Sequence, residues 1–178
     1  YAPIEVHRRL FSHEPRGFTQ DFNAVIGFAA KPSLGSPIYC LYLILHGALS
    51  FWHRLKWVVD LSHLLRRIGP DQMAEVLALA ERYGCFEAVV SSAILAERTF
   101  PGSLYAHWSE LVSRHHADPR VERLVSYYWE TLSGPTDQKP RLPLRAFLSC
   151  GHADVVFPGS IGFLQGSATR WLLLDQDQ

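Results

Sequence analysis

From Pro37 onward the chain is cut by helix-breaking residues at intervals of about one helix length, and no other feature constrains its fold as strongly. The breaks fall at Pro37, Gly69-Pro70, Gly84, Pro101-Gly102 and Pro119. Proline suits the first turn of a helix, where its missing N–H has no partner to lose, and glycine suits the residue just past the end. The segments between them, 38–49, 51–68, 70–83, 86–100, 104–115 and 119–132, carry apolar residues at helical spacing. The first is apolar nearly all round, which predicts a central buried helix. Asp118, just ahead of Pro119, suits an N-cap. A short helix starting from an Asp21 cap is expected within 17–30, and 31–37 reads as a loop. Five or six helices in series with short connections predict a mainly α fold, a helical bundle.

The two ends of the chain differ from this body. Residues 2–11 alternate apolar and polar side chains around Ile4, Val6 and His7, so a small β-strand region is expected there. Beyond the helices, 133–143 is rich in Gly, Pro, Asp and Gln and reads as an exposed loop. The expected organisation is 1–35, then a helical body over 36–132, then a loop and extension over 133–178.

A chain of 178 residues, 48% of them hydrophobic, can bury one core. Seventeen basic residues balance seventeen acidic ones, which gives no broad electrostatic footprint for nucleic acid. The longest apolar run, 38–45, is far shorter than the roughly 20 residues a membrane crossing needs, so no membrane partner is expected. Cys40, Cys85 and Cys150 are isolated and odd in number, which points to a reducing cytoplasm rather than a disulfide framework.

The densest pattern is His46-Gly47, followed by Trp52-His53-Arg54-Leu55-Lys56-Trp57-Val58-Val59-Asp60-Leu61. Together with Ile4-Glu5-Val6-His7 upstream, it resembles the uncharacterised bacterial nucleotidyltransferase family, in which a strand ending in an acid and a histidine precedes a His-Gly pair and a Trp-x-Arg-Leu-Lys-Trp-x-x-Asp-Leu helix. The resemblance implies an α+β protein of which this chain is the C-terminal portion, with 1–35 a remnant of the catalytic domain. The reaction implied is magnesium-dependent transfer of a nucleoside monophosphate from an NTP to an unknown acceptor. Glu5 would be a metal ligand, Lys56 would stabilise phosphate charge, and Asp60 would orient it or a neighbouring group. His7, His53 and Arg54 would contact substrate. The family's Asp-x-Asp belongs upstream of residue 1, so a preceding segment or a partner chain is expected to supply it. Asp175-Gln176-Asp177 imitates that motif but leaves no room for a following strand, and reads as a polar tail. The competing expectation is a non-catalytic helical interaction module.

The residues themselves add one argument. His53, Lys56, Asp60, His63 and Arg67 recur at spacings of three and four, which puts them on one helix face, with Leu55, Val59 and Leu65 turned toward the core. Lys ahead of Asp is the less favourable order for a helical ion pair, so local stability is a poor sole reason for Lys56 and Asp60. His46 is expected to be buried and hydrogen-bonded, Gly47 to permit close packing, and His115-His116 to cap a helix end. Trp52, Trp57, Tyr127, Tyr128 and Trp129 read as packing anchors. No Walker loop, nucleophile elbow or His-Glu-x-x-His is present.

Overall fold

The computed structural model describes residues 17–26 and 33–134. These form seven α-helices: α1 (Phe18–Ile26), α2 (Pro37–Leu49), α3 (Leu55–Arg67), α4 (Pro70–Arg82), α5 (Phe86–Thr99), α6 (Ala106–His115) and α7 (Pro119–Ser133). The fold is mainly α, as the breaker spacing predicts. Pro37, Pro70 and Pro119 each open a helix, and the Asp118 carboxylate accepts from the Arg120 amide at 2.9 Å. The expected strand at 2–11, Cys150 and all of the expected loop and extension beyond residue 134 lie outside the described residues.

The central helix is α5, not the apolar α2. It packs against α2, α3, α4, α6 and α7, and eight of its residues from Ala88 to Ala96 are buried. Small residues make this possible: Ala88, Ser91, Ser92, Ala93 and Ala96 let neighbouring helices approach closely. The buried hydroxyls are satisfied locally, Ser91 donating to the Val121 carbonyl of α7 and Ser92 to the Ala88 carbonyl. α2, by contrast, leaves Tyr39, Tyr42 and Leu43 half-buried and His46 exposed, with Phe22 of α1 against the two tyrosine rings.

Asp21 does not cap α1. The helix starts at Phe18, and the Asp21 carboxylate reaches across to α4, accepting from the Tyr83 hydroxyl at 2.5 Å and pairing with Arg82 at 2.9 Å. Phe18 stacks edge-on against the Tyr83 ring, so apolar and polar contacts hold α1 at the same point, while Phe22 packs on Tyr39 and Tyr42 of α2. Burial first, then the Asp21 hydrogen bond, pushes the Tyr83 phenol up to about 12.

Candidate functional site around α2 and α3

The chain turns from α2 into α3 through a helix stop with an uncommon residue in it. The Phe51 amide donates to the Ala48 carbonyl and the Trp52 amide to the Gly47 carbonyl, both at 3.0 Å, the paired bonds of a Schellman ending. That motif places its turning residue in the left-handed region, normally a glycine. Here Phe51 (φ 56) and Trp52 (φ 48) both occupy it, at a cost of about 1–3 kcal/mol each. Trp52 packing offsets this. Its ring lies on Gly47, so close that an added Cβ there would meet ring carbons at 2.2 Å. Its Nε1 donates to Ser92 Oγ of α5 at 3.1 Å. Gly47 therefore permits a close approach, as expected, but of the Trp52 ring rather than of a second helix.

This turn shortens α3 at its start and changes two expectations. The helix begins at Leu55, so His53 precedes it, and the His53 Nδ1–H donates to the Ser50 carbonyl at 2.8 Å. The buried arc runs through Val58, Leu61, Ser62, Leu64 and Leu65, leaving Val59 half-buried and Leu55 55% exposed. Leu55 thus has no core role. His46 is not buried either: it is exposed on α2, between the rings of Tyr42 and Trp57. Trp57 gathers three potential cations, with His46 at 6.2 Å, His53 edge-on at 4.7 Å and the Arg54 guanidinium 5.4 Å above its ring.

The start of α3 is electrostatically unusual. Its N-cap, Arg54, makes no side-chain cap bond, and the first turn holds Lys56 and no acid. Cations at the positive end of a helix dipole oppose local stability by about 0.3–1 kcal/mol each.

Between α2 and α3 lies a cleft of about 410 Å³. Leu43, Leu61 and Leu64 form much of its lining, with Trp52 and Gly47 at the corner. Its polar lining is His46, Asp60, His63 and Arg67, with Trp57 beside them. Three members of the predicted polar face, Asp60, His63 and Arg67, therefore share the cleft. Lys56 does not line it, and stands exposed one turn before Asp60. Among the described residues no ion pair joins Lys56 to Asp60. The structure also brings in Leu43, His46 and Trp57, which the stripe on α3 alone did not indicate; the aromatic spacing Tyr39, Tyr42, His46 on α2 was the available signal. Glu5 and His7 lie outside the described residues.

Magnesium takes oxygen ligands, usually one or two carboxylates together with waters and substrate phosphates. The cleft offers one carboxylate, Asp60, among imidazoles and a guanidinium. Among the described residues no three His, Cys, Asp or Glu side chains are grouped to hold a metal ion, and the imidazoles and guanidinium around Asp60 do not fit a magnesium centre in the cleft. Neither of the two described thiols is available for chemistry: burial pushes Cys40 up to about 11 and Cys85 to about 12. No described helix is long and apolar enough to cross a membrane.

The model of the uncharacterised nucleotidyltransferase family matches residues 1–101, which include α1 to α5 and the whole α2–α3 corner. No curated protein and no solved structure shows significant similarity to the chain. A match over more than half of the sequence, centred on the residues that build this corner, places the chain in the uncharacterised nucleotidyltransferase family.

Proposed function

We propose that this chain is the helical, substrate-facing part of a nucleotidyltransferase that moves a nucleoside monophosphate from an NTP to an acceptor. The observation that carries the reading is the overlap of the family match with a corner where Arg54, Lys56 and Asp60 make no ion pair with any described residue. Arg54 and Lys56 sit at the start of α3, where they oppose helix stability and where phosphate charge would be welcome. They would hold the triphosphate, with Lys56 stabilising charge that develops during transfer. His53 has its Nδ1 committed to Ser50, which leaves Nε2 to meet substrate. Asp60, in the cleft, would orient the acceptor group rather than Lys56. Magnesium belongs to this reaction class, and its ligands would be carboxylates other than Asp60, with Glu5 among them and His7 beside it. Further acids would be needed beside Glu5, and a partner chain would be one source of them.

The test is pyrophosphate release from each of the four NTPs by the protein purified from its native source with any partner chain retained, with magnesium and a small-molecule extract as acceptor source. Lys56→Gln is expected to abolish release while leaving the melting temperature unchanged. Unaltered release by Lys56→Gln, or neither binding nor turnover of any NTP by the wild type, would overturn the reading. The latter result would favour the interaction module.

A further inference from the structure

We infer that the α2–α3 cleft binds an amphiphilic organic anion, and that this is the acceptor in the transfer proposed above. The word acceptor rests on that transferase reading; the binding site does not.

The lining states the chemistry. Leu43, Leu61 and Leu64 offer apolar surface that a phosphate chain or a free sugar would leave unused. A volume of about 410 Å³ suits a small organic molecule, within the range of about 300–1,000 Å³ usual for such sites. Asp60 and Arg67 both line the cleft, seven residues apart on α3, a rise of about 10 Å. That is too far for the two to neutralise each other directly. Neither makes an ion pair with another described residue. An apolar surface with an unspent guanidinium and an unspent carboxylate about two helical turns apart calls for a ligand of matching layout. Its apolar body would lie on the leucines, its anionic group on Arg67, and its hydroxyl or amine on Asp60. His63 lies between Asp60 and Arg67 in sequence and, like His46, can serve as donor or acceptor to the ligand's remaining polar atoms.

The layout also orders the site. Asp60 stands one turn from Lys56, so the donor group of the ligand would face the end of α3 assigned to the NTP. Arg67 holds the anion away from that end, which keeps like charges apart.

The test uses two fluorescent probes that differ by one group: 8-anilinonaphthalene-1-sulfonate and its sulfonate-free counterpart, N-phenyl-1-naphthylamine. The folded wild-type protein is expected to bind one sulfonate probe per chain. Arg67→Gln should weaken that probe by about tenfold, equal to about 1.4 kcal/mol, and leave the uncharged probe unchanged. Leu43→Glu should weaken both. Equal affinity of the sulfonate probe for wild type and Arg67→Gln would overturn the inference. Competitive displacement by ATP would overturn it too, because the cleft would then be the nucleotide's own. Arg67-dependent probe binding in a protein that never turns over an NTP would support the site and remove only its assignment to the transfer reaction.

Discussion

Helices α2 and α4 end with the same pair of hydrogen bonds, yet the residues that make the two endings differ. At α4 the Gly84 amide donates to the Glu81 carbonyl and the Cys85 amide to the Ala80 carbonyl, with Gly84 in the left-handed conformation (φ 64). Glycine adopts it without strain, and the chain continues into α5 after a minimal turn. At α2 the corresponding residue is Phe51, followed by Trp52, also left-handed. The strain is tolerated because Trp52 is buried against Gly47 and hydrogen-bonded to Ser92 of the central helix. Burying an indole is worth on the order of 4–6 kcal/mol in transfer terms. The α4 ending stops a helix; the α2 ending also fixes the edge of a cleft. Strain held in place by packing is characteristic of sites where geometry serves a ligand.

The largest expected effect comes from removing what holds the strained corner. Trp52→Ala should cost about 3–5 kcal/mol, seen as a large fall in the urea midpoint. A fall below 1 kcal/mol would show that the corner does not depend on the indole. Gly47→Ala comes next. The new methyl collides with the Trp52 ring, and an overpacking cost of about 1–3 kcal/mol should exceed the roughly 1 kcal/mol gained in helix propensity. Gly84→Ala meets open space, so only the left-handed backbone resists it, at about 1–2 kcal/mol. Its cleft should remain intact, whereas Gly47→Ala should also weaken probe binding.

A smaller effect is expected at α1. Tyr83→Phe removes the Asp21 bond at a cost of about 0.5–1.5 kcal/mol. The Tyr83 phenol is raised from 10.0 to about 12 in the folded protein. Its stabilising contribution is therefore complete below pH 10 and lost as pH rises through about 12. Alkaline unfolding followed by circular dichroism should lose that step in Tyr83→Phe. Buried Tyr128, whose phenol burial also raises, should still titrate on unfolding. The smallest stability changes, within about 0.5 kcal/mol, belong to Arg54→Gln, Lys56→Gln and Asp60→Asn.

The breaker spacing made the helices legible because proline and glycine act locally, whatever surrounds them. The central position of α5 was less so. Its alanines and serines look unremarkable in sequence, and their value lies in the close approach of other helices. The α2 stop was hidden for a different reason: Phe51 and Trp52 occupy a conformation their side chains resist, so a helix beginning at 51 was the natural expectation. Leu55, the first residue of α3, turns outward because it lies off the arc that Val58, Leu61 and Leu65 bury. The shared face of Asp60, His63 and Arg67 survived the later start of α3, because spacing within the helix does not depend on where the helix begins. His46 was misplaced because burial depends on which neighbours cover α2, and sequence alone does not say.

The central claim is that one stretch of sequence does two separable jobs, Gly47 and Trp52 building the corner and Arg54 and Lys56 meeting the nucleotide. Its most direct test is calorimetric titration of NTP into wild type and the Arg54→Gln/Lys56→Gln double variant. The account predicts affinity at least about tenfold weaker in a variant that melts no lower than wild type. Equal affinity in an equally stable variant would contradict it.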